Sequence, residues 1–287
     1  MTKRRYIINF SIILILAVAT GLFAGNYYNT NYGRNVLAPN VSEAVVRGND
    51  LTVALKKAKG NTPENLSATE NFVVAENILN NRTAVKKEVR GEISAAGIKQ
   101  TLVSQKILVN GDVYADKISA SSMVKVAQMD YYKTGTTSVN IYDGKVTSST
   151  TATWPTKASK TVSLDEYKST YGISPERMIS LVVGTNTVVD ESPVTKNEQG
   201  NYTATITLDT NYSVMNYMYE IKATAGSKKL PYFKSVVLTY EIDENWNLIS
   251  YTTTEVYDVS IAVLGFTTCK GTINNSFTYE DVEIPQI

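Results

Sequence analysis

Among 287 residues there is no histidine and a single cysteine, Cys269. A Ser-His-Asp triad, a Cys-His dyad, a histidine-ligated zinc and an internal disulfide are thereby excluded. Charge of one sign is lacking too. The 28 Lys and Arg stand against 27 Asp and Glu, and the cations form no stripe dense enough to neutralise a phosphate backbone. Nucleic acid is therefore not an expected partner. The glycines follow no phosphate-loop spacing, and no cofactor is expected. Cys269, within Gly265-Phe266-Thr267-Thr268-Cys269, reads as a small buried apolar side chain.

Opposed carboxylates are equally scarce. Asp190-Glu191, Asp243-Glu244 and Glu280-Asp281 fall at turns or strand ends, whereas general acid–base work needs two carboxylates facing each other across a cleft. No catalytic residue is assigned, and the chain reads as non-enzymatic. Asp243-Glu-Asn-Trp-Asn247 alternates oxygen ligands but has neither the glycine nor the distal glutamate of an EF-hand loop, so no metal site is assigned.

What is present begins with Lys3-Arg4-Arg5, followed by an apolar stretch from Tyr6 to Ala24 whose helical length approaches the roughly 30 Å of a bilayer core. The positive flank stays in the cytoplasm, which places everything after Gly25 on the extracellular face of the cell membrane. Residues 1–25 are read as a signal-anchor; cleavage at the small residues Ala17-Val18-Ala19 is the secreted alternative. Residues 26–49, rich in turn formers, read as a linker.

From residue 50 to 287 the periodicity describes an extracytoplasmic domain, either one continuous sheet or two lobes, 50–160 and 161–287. Asp50–Gly60 is expected as a helix with an acidic start and a glycine stop, and a second helix is expected to start at Thr62-Pro63 and run to Asn80-Asn81. The period then becomes two. Lys86, Glu88, Arg90 and Glu92 face one side, Val85, Val89 and Ile93 the other, as in a strand with one wet face. Asn110-Gly111-Asp112 joins Ile98–Val109 to Val113–Ser119 as a hairpin. Met123–Tyr132 and Ser138–Tyr142 continue the sheet, and Asp143-Gly144 is expected to turn into a threonine-rich strand. Helical segments are expected after Ser163 and from Ser174 to Val183. Strands near Thr185–Val189, Tyr202–Leu208, Tyr232–Ile242, Leu248–Val259, Phe266–Ile273 and Phe277–Val282 complete the pattern.

Between them lies Ser213–Lys222, where Val214, Tyr217, Met218 and Ile221 share one helical face. This helix is expected to lie on the sheet. The proposed ligand contacts are Tyr217, Met218 and Ile221 from the helix, with Val237 and Leu238 from the facing strand. The 19 tyrosines read either as half-exposed sheet surface or as a ligand groove. Short connections between strands require antiparallel pairing, so the fold class is α+β: a curved antiparallel β-sheet with helices on its concave face, preceded by a membrane segment.

This order resembles the LolA-like superfamily of bacterial lipoprotein carriers and the mycobacterial lipid-binding LppX/LprG-type envelope lipoproteins. The exported N-terminus, the helix ahead of a long sheet, Val109-Asn-Gly-Asp-Val-Tyr114 and the final order of helix, Leu230-Pro-Tyr-Phe233 and paired strands carry the resemblance over about two thirds of the chain. It implies acyl chains held between a half-wrapped sheet and its helices. No lipobox cysteine is present, so lipid anchoring of that kind is not implied here. The expected function is an exported, membrane-anchored binder of a lipid or other apolar ligand. The alternative is a membrane-tethered structural or interaction module that contacts another envelope protein or cell-wall polymer; the sequence names no protein partner.

Overall fold

A computed structural model describes residues 43–286, except 123–124, 226–228 and 262–264. The expected membrane segment and most of the linker lie outside the described residues. Glu43 and the residues after it belong to the folded unit: a short helix α1 (Glu43–Arg47) buries Val46 and precedes α2 (Asp50–Ala58). Thr62-Pro63 starts only a single 3-10 turn, Pro63–Asn65. The long helix α3 (Ala68–Asn80) starts later, at Ser67, because Ser67 and Glu70 form a capping box that satisfies donors on both sides of the start. Beyond that cap, Glu191 accepts from the Thr69 amide at 2.7 Å, which sets a carboxylate at the positive end of α3.

Among the described residues thirteen strands form one sheet: β1 (Ala84–Ala95), β2 (Ile98–Val109), β3 (Asp112–Ala120), β4 (Lys125–Tyr132), β5 (Ser138–Ser148), β6 (Thr151–Thr153), β7 (Lys160–Ser163), β8 (Val188–Glu191), β9 (Thr195–Lys196), β10 (Tyr202–Leu208), β11 (Tyr232–Ile242), β12 (Leu248–Ile261) and β13 (Gly265–Thr278). The order is β6-β5-β4-β3-β2-β1-β13-β12-β11-β10-β8, with β7 beside β5 and β9 beside β10. All pairings are antiparallel, as the short connections require. The two halves of the chain meet where β13 pairs with β1 over ten residue pairs, from Lys86–Thr278 to Ala95–Cys269. They therefore form a continuous sheet, not two separate ones.

One expected turn and one expected gap between strands prove to be continuous strand. At Asp143-Gly144 β5 continues, because Gly144 makes room for an indole: a Cβ there would stand 2.6 Å from Trp154 Cζ3. At Asn274-Asn275-Ser276 β13 runs through without a break, and buried Asn275 takes backbone oxygens of Tyr251 and Ile273 as acceptors at 3.4 Å. The Asn110-Gly111 hairpin forms as expected, both residues having positive φ (50° and 89°).

Helices α3, α4 (Leu164–Tyr171) and α5 (Tyr217–Ala225) cover one face of the sheet. Phe72 on α3 packs its ring 5.5 Å from Tyr240, whose hydroxyl donates to Ala68 O at 2.8 Å. The main core runs from here along the covered face to Val139, Ile141 and Val162 on β5 and β7. Residues 174–183 were expected as a helix and instead take an irregular course, with Met178, Ile179, Leu181, Val182 and Val183 all buried. A helix would turn some of these successive positions towards solvent; an extended path between two packed layers hides both sides.

Candidate functional site

Strand alternation decides which side chains face the helices. Taking Val85 and Val89 as inward, the same side of β1 carries Lys87, Ile93 and Ala95. The register carries this parity across the sheet: Lys87 pairs with Lys106 of β2, Ser104 with Lys117 of β3, Ala115 with Asp130 of β4, Val89 with Asn275 of β13 and Gly271 with Glu255 of β12. Lys87, Lys106, Lys117, Asp130 and Glu255 thus lie on the covered face, although their residue types belong in water.

They are tolerated because they line a cavity of about 290 Å³ between the sheet, α4, α5 and the 173–183 segment. Residues of β4 and β12, five strand spacings apart, line the same space, so the sheet curls around it. Ile93, Ala95, Ile98, Leu102, Val259 and Cys269 form the apolar wall towards the β1–β2 and β12–β13 ends. Lys87, Lys106 and Lys117 form the floor, opposite Glu220 of α5.

The polar groups are held in place. Lys87 Nζ donates to Met178 O at 2.8 Å and Tyr251 Oη at 3.2 Å, and Lys106 Nζ to Arg177 O at 2.6 Å. Two sheet lysines therefore satisfy carbonyls of the irregular covering segment, which has no helical partners for them. Ser180 Oγ donates to Glu220 Oε2 at 2.6 Å. Asp130 accepts from Tyr167 Oη at 3.0 Å and Gln128 Nε2 at 2.9 Å, and Glu255 from Thr253 Oγ1 at 2.6 Å and Tyr217 Oη at 3.2 Å.

Burial dominates the electrostatics. It pulls the Lys87 and Lys106 ammonium groups down to about 8 despite the opposing Glu220, and it lowers Lys117 in the same direction. It pushes Asp130 up to about 6 and Glu255 up to about 7, against the hydrogen bonds just named. Glu220 goes the other way: burial alone would raise it, but Lys117, Lys87, the Ser180 hydroxyl and Lys106 together hold it below the usual carboxylate range. Burial also lifts the Cys269 thiol to about 11, leaving it neutral.

Of the five contacts expected from the sequence, Tyr217 and Ile221 line the cavity. Met218 and Leu238, 3% and 0% exposed, lie in the sealed core. Val237 pairs with Thr207 and Thr254 on the opposite face of the sheet, since neighbouring strand residues point in opposite directions. Sequence reasoning did not single out the lysine floor, Glu220, Asp130 or Glu255. A signal existed for one of them: the alternation that puts Lys86 and Glu88 in water leaves Lys87 between Val85 and Val89 on the buried side. The tyrosines are also more enclosed than a half-exposed sheet surface would make them, with Tyr167, Tyr171, Tyr240, Tyr251 and Tyr257 all buried on the helix-covered side.

No protein-family model and no curated protein matches this chain. Among solved structures the chain is similar to a DUF1329 family protein from Desulfovibrio piger, with 10% sequence identity, a TM-score of 0.28, and 81% of this chain and 94% of that chain covered.

Proposed function

We propose that this protein is an exported, membrane-anchored, non-enzymatic binding protein that carries a lipid or other amphipathic molecule at the outer face of the cell membrane. The observation that carries the reading is the cavity of about 290 Å³, near the lower edge of the usual range for ligand pockets, with apolar walls and a few convergent polar groups. Its size suits one acyl chain or a small amphiphile. The resemblance in element order to LolA-like carriers points the same way.

Binding without chemistry is favoured by the placement of the two carboxylates whose pKa is raised. Asp130 and Glu255 lie on β4 and β12, with Lys87, Lys106 and Lys117 on the strands between them. Each is also engaged by a tyrosine hydroxyl.

Native mass spectrometry of the full chain, purified in a mild non-ionic detergent, tests the reading. A co-purified amphiphile is expected, and Ile221→Trp, which fills the cavity, should remove it while the protein stays folded. Met218→Trp, placed in the sealed core, should instead destabilise the fold by about 1–3 kcal/mol. A cavity that stays empty in every preparation and takes up no added amphiphile would sink the carrier reading in favour of the interaction module. Protease added to intact cells should digest the folded domain; full protection would overturn the placement outside the membrane.

A further inference from the structure

The cavity floor contains an arrangement that sheet energetics disfavour. Lys87 and Lys106 are directly opposite on adjacent strands, and Lys117 is the diagonal neighbour of Lys106, because Lys106 pairs with Ala115 and Ser104 with Lys117. Like charges placed directly opposite destabilise a sheet, and here all three amines are enclosed between two layers. The carbonyls of Met178 and Arg177 accept hydrogen bonds from Lys87 and Lys106 but bring no charge. Glu220 faces all three lysines at once. Asp130 stands beside Lys106 and Lys117 but is already engaged by Gln128 and Tyr167. Among the described residues no hydrogen bond joins Lys117 to another group, although its ammonium carries three donors.

We propose that Lys87, Lys106 and Lys117 form an oxyanion subsite that holds the carboxylate or phosphate head of an acidic amphiphile, with Glu220 as the counter-charge of the empty state. This rests on the carrier reading and narrows it to one class of ligand. It also sets the direction of binding. The lysines stand at one end of the cavity lining, while Ile93 is roughly 20 Å further along β1 at ~3.3 Å per residue, among the apolar wall residues. The head therefore sits at the lysines, and the apolar part lies along the strands towards Ile98 and Val259.

The full chain in non-ionic detergent is offered equal amounts of palmitate, palmitoyl lysophosphatidate and monopalmitoylglycerol, and the adducts are counted by native mass spectrometry. Anionic adducts should exceed the neutral one roughly tenfold, the gain expected from charge-assisted hydrogen bonds. Whichever anionic ligand prevails tells a carboxylate head from a phosphate one. Lys117→Met should abolish the preference for anionic over neutral ligand, and Lys117→Arg should keep it. Equal binding of all three ligands by the parent protein would overturn the subsite while leaving the carrier reading intact. Binding of none of them would overturn both.

Discussion

Glu255 is 2% exposed, and its carboxyl is pushed up to about 7 from an ordinary 4.5, chiefly by burial. A raised acid favours the fold while it keeps its proton. Its contribution is fully present below pH 4.5 and is lost as the pH rises through about 7. Glu255→Gln keeps the shape and removes the titration. Chemical denaturation should find the variant equal to the parent at pH 4 and more stable at pH 8, by up to about 3 kcal/mol; a gap that does not change with pH would mean that Glu255 is solvated. Lys87 and Lys106 act with the opposite sign. Their folded-state values near 8 lie below the ordinary 10.5, so their contribution is present above 10.5 and is lost as the pH falls through about 8. The alternation of β1 already placed Lys87 on the buried face. Its partners Lys106 and Lys117 became visible only with the register, because each strand alone could be laid either way up.

At the scale of elements, the covering layer depends on a buried ion cluster. Glu76 of α3, 1% exposed, accepts from Arg47 of α1 at 2.9 Å and from Arg177 of the irregular segment at 3.4 Å; Glu43 of α1 pairs with both arginines. One carboxylate thus ties α1 and the cavity cover to the main helix. Glu76→Ala would leave the two arginines short of an anion inside the protein, and a loss of about 3–5 kcal/mol is expected in urea unfolding. A loss under 1 kcal/mol would show that water reaches the cluster. The same cluster bears on how much was legible. α3, α4 and α5 have apolar stripes or capping residues that announce a helix; α4 starts where Ser163 predicted it, whereas α3 starts after Ser67 instead of Thr62. Ser174–Val183 has the apolar content of a helix but no capping box, and its carbonyls are taken by Lys87 and Lys106 from the sheet and by its own Arg177 side chain. Asp143-Gly144 misled for a related reason: Gly144 serves Trp154 across the sheet rather than a turn.

At the scale of the whole molecule, β13 joins β1 near one end of the domain to β12 near the other, and the core under α3 draws on both halves of the chain. Neither half can bury its inner face without its partner. Scanning calorimetry should therefore show one transition with equal calorimetric and van't Hoff enthalpies, and a fragment covering 50–160 should not fold alone; two separated transitions would contradict the continuous sheet. Composition and periodicity are enough for the antiparallel α+β class, most strand and helix positions, and the exclusion of histidine and disulfide chemistry. These follow from residue counts and from periods of two and 3.6 residues, which are local properties. Long-range pairing was needed to show that the halves share a sheet, that Tyr217 and Ile221 rather than Met218, Val237 and Leu238 face the cavity, and that three lysines meet at its floor. Those facts depend on strand order and register across long stretches of chain, where a slip of one residue would turn every side chain to the other face.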